Sequence, residues 1–281
     1  MVVTAQEIGF CFGVKRAISI GEKALKKYKT CVSLGPIIHN ERVIEKLAAS
    51  GLKVCDLAEI KGEPVIIRSH GVHPEVRKEL EKKSRVVIDA TCPFVQGVQN
   101  LVAELRKERY TIIIAGKPAH PEVTALAGVA GKQGFIYPVR TEWLQEKKVA
   151  VVSQTTSTQQ EYRQVVLSLL KLGLPSEIRI FNTVCRVTER RQADARHLAK
   201  KVDVLLVVGS KKSANTTNLY RLLRQEKKAT YLVSGEKEVQ KRWCTPKIKV
   251  GLVSGTSTPR ETIEEVKERL TQTPLITLQR L

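Results

Sequence analysis

The chain has 281 residues, 42% of them hydrophobic and 27% charged, and a formal net charge of +20 at pH 7. That length and apolar content suit one large core or several smaller ones. With no apolar run of about 18 residues no membrane span is expected, and MVVTAQEIGF lacks the basic region, apolar stretch and cleavage site of a secretory signal, so a cytoplasmic chain is expected. In that compartment Cys11, Cys31, Cys55, Cys92, Cys185 and Cys244 are read as metal ligands or small buried hydrophobes in preference to disulfides. The positive field would steer anions and acidic partners. A dedicated nucleic-acid role is disfavoured, because only 5% of residues are aromatic and neither an RNA-binding signature nor zinc-finger spacing is present.

Apolar residues at spacings of three and four predict helices over 14–28, 40–50, 73–83, 95–108, 160–172, 189–201, 215–226 and 259–270. Between them, Val/Ile-rich runs predict strands over 32–35, 64–69, 85–90, 110–116, 148–154, 177–182, 202–209, 229–233 and 249–255. Continuous apolar runs suit strands buried on both faces, and the alternation argues for α/β units with parallel sheets. No long Pro/Gly/Ser linker separates the units, so they are expected to pack tightly, and the apolar tail 271–281 is expected to dock.

A repeat organises the chain into units expected over 1–91, 92–184 and 185–281. Cys11, Cys92 and Cys185 each precede a helix-like segment, and 28 residues after each comes a polar residue just past a strand–Gly turn: His39, His120 and Ser213. A further polar residue follows the next apolar strand: His70, Thr155 and Ser257. In open parallel sheets ligands bind beyond the strand C-termini, where all nine groups are expected. Spacing alone leaves two readings of the cysteines. They are three buried residues of duplicated strand–helix units, or three soft ligands for a 4Fe-4S cube whose fourth iron lacks a protein ligand. A closed zinc site would use four ligands, usually in C-x-x-C pairs, and no such pair is present. Cys31, Cys55 and Cys244 lie outside the repeat and are read as buried hydrophobes.

The segments GFCFGVKRAI, LGPIIHN, RSHGV, DATCP, HPEV, SQTT, NTVC followed by RQ, VGSKKSAN and SGTSTP occur in the order found in the LytB/IspH family of 4-hydroxy-3-methylbut-2-enyl diphosphate reductases. The resemblance runs from about residue 8 to residue 270 and is specific as a set, though no single motif is. It implies a trefoil of three pseudo-equivalent α/β domains with mostly parallel sheets around a central iron–sulfur site. One 4Fe-4S cluster would be bound by Cys11, Cys92 and Cys185, its fourth iron open to substrate. The implied reaction removes the hydroxyl of 4-hydroxy-3-methylbut-2-enyl diphosphate with two electrons and protons. It gives isopentenyl and dimethylallyl diphosphate, the last step of the non-mevalonate route. A ferredoxin or flavodoxin would supply the electrons.

The resemblance assigns Glu122 of the second HPEV as proton donor or relay, with Thr155 as its hydroxyl partner and His120 beside it. From the residues alone, Glu122 reads as a first-turn Glu favoured by the helix dipole. His39, His70, His120, Thr155, Ser213, Asn215 and Ser257 would donate to the diphosphate, so that it is held without Lys or Arg in the pocket. Taken singly, a His is more often structural and a Ser or Asn more often a helix cap. Ala214 stands where the family often has Ser or Gly, leaving one hydroxyl contact in doubt and a backbone N–H in place. Asn40 and Gln192 match family positions in supporting roles. The first HPEV, with His73 and Glu75, reads as a helix start on the surface, and His197 as an ordinary helical residue. Two other readings are a zinc-dependent phosphohydrolase and a basic nucleic-acid-binding protein.

Overall fold

The runs TIIIA at 111–115 and VLLVV at 204–208 offer no polar face to water. In the computed structural model, which describes residues 1–139, 144, 147–171, 175–245 and 247–272, both are interior strands of parallel sheets. The chain begins with β1 (Val2–Thr4), α1 (Phe12–Tyr28), β2 (Cys31–Leu34), α2 (Glu41–Ala49), β3 (Leu52–Cys55), β4 (Val65–Ile67), α3 (Pro74–Lys83) and β5 (Val87–Asp89). There follow α4 (Pro93–Lys107), β6 (Thr111–Ala115), α5 (Pro121–Ala130), β7 (Gly134–Ile136), β8 (Lys148–Ser153), α6 (Gln159–Lys171) and β9 (Glu177–Ile180). The last elements are α7 (Arg186–Ala199), β10 (Val204–Val208), α8 (Ala214–Glu226), β11 (Thr230–Val233), β12 (Val250–Ser254) and α9 (Arg260–Thr271).

Three four-stranded sheets result, in the orders β3-β2-β4-β5, β7-β6-β8-β9 and β1-β12-β10-β11, and the paired strands run parallel throughout. The expected three parallel-sheet α/β domains are therefore present. The chain also divides into two compact units, one formed by Met1–Phe10 with Arg190–Leu281 and the other by Cys11–Glu189. The first holds one sheet and the second holds two.

Burial explains the strands. Ile112, Ile113, Ile114, Leu205, Leu206, Val207 and Val208 are fully buried, each contributing about 1.5–3 kcal/mol of transfer free energy. The helices follow the same logic on one face. Gly13, Val14, Ala17, Gly21, Ala24 and Leu25 of α1 are buried at helical spacing. The helix stops at Lys29, whose left-handed φ of 66° turns its N–H back to the carbonyl of Leu25.

Four elements escape the periodicity. Strand β1 has three residues and pairs with β12 in the register Val2↔Val250, Val3↔Gly251 and Thr4↔Leu252. Residues 1–10 consequently belong with the C-terminal sheet, not with the unit expected over 1–91. Strands β3 and β7 are four and three residues long, too short to show a period. Helix α5 buries Glu122, Val123, Ala125, Leu126 and Ala130. It is apolar nearly all round, and a helix without a polar face carries little amphipathic signal. The tail beyond residue 272 and residue 172 of the predicted fifth helical segment lie outside the described residues.

Candidate active site

Parallel strands within one sheet deliver all their following loops to one edge. His39 lies in the loop after β2, His70 after β4, Cys92 after β5, His120 after β6, Thr155 after β8 and Cys185 after β9, all within the unit Cys11–Glu189. Cys11 opens the same unit as the N-cap of α1, and Cys92 and His120 are the N-caps of α4 and α5. Ser213, the N-cap of α8, lies with Ala214, Asn215 and Ser257 in the other unit.

The thiols of Cys11 and Cys185 both lie within electrostatic reach of Cys92. Cys92 feels the charges of both Cys11 and Cys185, which add to burial in raising its thiol above the usual range, while the N–H groups of Phe94 and Val95 oppose the rise. The Sγ of Cys11 accepts from the amide of Val14 at 3.4 Å. Gly13 supplies the space between two of them. A Cβ built there would stand 2.5 Å from Cys92 Sγ and 4.0 Å from Cys11 Sγ, closer to Cys92 than any real contact allows. Three thiols at helix starts, two of them over a glycine and the third within electrostatic reach, fit a soft metal or cluster. Two of these cysteines are bolted to loops that carry polar site residues: the amide of Cys92 donates to the carbonyl of Ser69 and that of Cys185 to the carbonyl of Thr155, both at 2.9 Å.

Beside them the histidines cluster. Ring centroids are 4.8 Å apart for His39 and His70, 5.3 Å for His70 and His120, and 6.4 Å for His39 and His120. Their ligand nitrogens all lie within 4.8 Å of one another. Burial is the main reason all three are pushed toward the neutral form: His39 below its ordinary value, His70 well below, and His120 down to about 4. Nδ1 of His120 accepts from the amide of Glu122 at 3.2 Å, which places the proton of the neutral ring on Nε2. That Nε2 and Nδ1 of His70 are buried with no protein partner among the described residues. A buried polar atom of this kind wants a partner, and a phosphate oxygen would satisfy the Nε2–H.

Glu122 is 1% exposed. Its Oε1 accepts from the amide of Thr155 at 2.6 Å and its Oε2 from Thr155 Oγ1 at 2.9 Å. Burial pushes the carboxyl up to about 7 against the opposing effect of those two bonds. A carboxyl so placed exchanges a proton near neutral pH. The other HPEV shows what the environment adds. His73 caps α3 and accepts from Glu75 at 3.2 Å by the same geometry, yet Glu75 is exposed. The first-turn reading of Glu75 holds, and for Glu122 burial against Thr155 overrides it.

In the other unit, Ser257 Oγ donates to Ser213 Oγ at 3.2 Å and the amide of Thr256 donates to Asn215 Oδ1 at 3.3 Å. These loops follow β12 and β10, as the repeat requires. Asn40 is the buried N-cap of α2, Gln192 is buried in α7, and His197 is exposed. Cys31 and Cys55 are buried thiols that burial pushes up, as expected of small hydrophobes, and Cys244 is partly exposed.

Sequence reasoning missed Arg68. Its positive charge helps to lower all three histidines, so the cluster is not free of Arg influence as expected. Gly35, at φ +72°, makes room for it: a Cβ there would lie 2.6 Å from Arg68 Nη1. The available signal was its place in RSHG, two residues before His70.

Residues 2–271 match the family model described as LytB protein. The chain belongs to the LytB family. This LytB chain is 37% identical over 277 residues to the 4-hydroxy-3-methylbut-2-enyl diphosphate reductase of Aquifex aeolicus (strain VF5), covering 96% of this chain and 95% of that protein. It is 38% identical over 275 residues to the reductase of the same name from Geobacter metallireducens, with 96% of each chain covered. A solved (E)-4-hydroxy-3-methyl-but-2-enyl diphosphate reductase, called the terminal enzyme of the non-mevalonate pathway, superposes with a TM-score of 0.72. It shares 35% identity, over 97% of this chain and 99% of that one. The corresponding reductase of Plasmodium falciparum gives 0.88 at 28% identity, over 98% of this chain and 89% of that one. These LytB relatives lend no support to the zinc phosphohydrolase or nucleic-acid readings.

Proposed function

We propose that this chain is a 4-hydroxy-3-methylbut-2-enyl diphosphate reductase, an oxidoreductase that makes isopentenyl and dimethylallyl diphosphate. Cys11, Cys92 and Cys185 would hold one 4Fe-4S cluster, and the observation that carries the reading is that Cys11 and Cys92 share the Gly13 notch while Cys185 is bonded to Thr155, the partner of the buried Glu122 carboxyl. When bound, the cluster supplies reducing electrons and an iron that lacks a protein ligand.

The chain's own residues do the rest. Hydroxide is a poor leaving group, so the allylic alcohol needs a proton as its C–O bond breaks. Glu122 holds one at a carboxyl whose affinity matches neutral pH, and Thr155 Oγ1 keeps that carboxyl in place and can pass the proton on. His120 donates from Nε2, its ring fixed by the Glu122 amide. His39, His70, Ser213, Asn215 and Ser257, with the backbone N–H of Ala214, are the remaining diphosphate donors. Hydrogen bonds to a charged group contribute about 1.5–3 kcal/mol each, so several neutral donors retain the anion. Neutral imidazoles also leave the substrate easier to release than a cage of fixed cations would. The low-potential donor is a ferredoxin or flavodoxin, whose acidic surface suits a chain of net charge +20. The protein is expected to act in the cytoplasm; among the described residues no helix is long and apolar enough to cross a membrane.

Anaerobic purification with an iron count and absorption spectrum, followed by turnover of the hydroxylated diphosphate with a strong one-electron reductant, tests this directly. Brown protein with about four irons and both isomeric products is the expected result. Colourless, iron-free and inactive protein after reconstitution refutes it.

A further inference from the structure

We propose that Arg191 is a positioning residue: one buried guanidinium fixes both the peptide that leads into Cys11 and the turn that carries Ser257. The role rests on the function proposed above for those two residues. Arg191 lies in α7, six residues after Cys185 (191 − 185), and is 3% exposed. Its Nη2 donates to the carbonyl of Gly9 at 2.9 Å, and its Nη1 donates to the carbonyls of Ser254 and Gly255, both at 2.9 Å, and to Ser254 Oγ at 3.1 Å. Ser254 Oγ also accepts from the amide of Gly9 at 2.9 Å.

The placement of those acceptors gives the network its meaning. Gly9 is two residues ahead of Cys11 in the sequence and has a left-handed φ of 76°, so the peptide that leads to the cysteine is a tight turn. Ser254 ends β12, and Ser257 follows three residues later with its Oγ donating to Ser213. Segments distant in the chain, 182 residues apart for Gly9 and 63 for Ser254, share a single planar cation. Hydrogen bonds from a charged donor are shorter and about twice as strong as neutral ones, and the rigid fork of Arg sets angle as well as distance. The compact ammonium of Lys cannot serve both Gly9 and the 254–255 carbonyls with that geometry.

The test compares wild type, Arg191→Lys, Arg191→Met and Ser254→Ala as reconstituted holoproteins. It reads affinity for inorganic pyrophosphate by calorimetry, iron per chain, the EPR spectrum of the reduced protein, and Tm. For Arg191→Met, pyrophosphate affinity is expected to fall about tenfold, the scale of one weakened charge-assisted hydrogen bond, and the EPR g-values to shift. Arg191→Lys should be intermediate, and Ser254→Ala should shift both readouts in the same direction by less. Should Arg191→Met fail to fold, the other two variants carry the test. A lowered Tm with wild-type pyrophosphate affinity and an unchanged EPR spectrum overturns the role, because a purely structural arginine would give that pattern. A wild-type protein with neither iron nor pyrophosphate affinity overturns the proposed function and this role together. A wild type with both, and variants that match it, overturns the role alone.

Discussion

Replacing Glu122 by Gln separates proton supply from binding. The amide keeps an oxygen to accept from the Thr155 backbone N–H, and its NH2 can donate to Thr155 Oγ1, so both contacts of the native carboxyl survive. What disappears is the exchangeable proton. General acid catalysis of this kind is worth roughly 10²–10⁴ in rate, or about 2.7–5.5 kcal/mol of barrier. We therefore expect kcat to fall by about that factor with KM within about threefold. A stability signature accompanies it. The folded carboxyl, at about 7, lies above the ordinary carboxyl value of 4.5. Below the lower value both folded and unfolded states are protonated and nothing differs. As pH rises between the two values, only the unfolded state ionises, so native stability falls, by about 3 kcal/mol in all. Glu122→Gln abolishes that loss and should be relatively more stable than wild type at pH 8 and equal to it near pH 4. Steady-state kinetics and denaturant titrations across pH 4–8 read both effects. The reasoning is refuted if kcat is retained, if KM rises in step with the lost rate, or if the two proteins keep the same stability difference at every pH.

Single Cys→Ser changes at Cys11, Cys92 or Cys185 should remove iron and turnover, whereas Cys31→Ser should spare both; iron analysis settles each in turn, and a fully loaded Cys92→Ser protein would remove that residue from the ligand set. Gly13→Ala forces a methyl to within 2.5 Å of Cys92 Sγ and should cost about 1–3 kcal/mol as overpacking. Iron incorporation should fall while far-UV circular dichroism stays native. Arg68→Met withdraws a fixed charge from the histidine cluster and should weaken inorganic pyrophosphate binding about tenfold at low salt, less at high salt. An affinity indifferent to both the substitution and ionic strength would show that the charge does not reach the anion.

The repeat was legible because it is written in residues with few synonyms: a thiol, then an imidazole or hydroxyl 28 positions on. Strands such as β6 and β10 were legible because burial on both faces forces unbroken Val/Ile runs. What stayed hidden had a physical reason each time. Strand β1 is three residues long, and its partner β12 lies about 250 positions away, where no local pattern reaches. Helix α5 is wrapped in apolar neighbours and shows no polar stripe. Most tellingly, the two HPEV segments share every residue and the same His-to-Glu-amide bond. Only burial, which no local pattern reports, lifts the Glu122 carboxyl to about 7 against the pull of Thr155, 33 positions on, and the other glutamate stays in water. Arg68 was passed over because a guanidinium that acts by its field, without touching a predicted ligand, leaves no spacing to read.

The backbone bonds from Cys92 to Ser69 and from Cys185 to Thr155 have an engineering consequence. Because the amide and carbonyl belong to the main chain, ordinary substitution can alter what a loop presents but cannot loosen its grip on the neighbouring sulfur anchor. Side chains in the loops after β4 and β8 can therefore vary while the main-chain links to Cys92 and Cys185 stay made. What such a loop presents and what anchors the neighbouring cysteine are, in this architecture, mechanically separable.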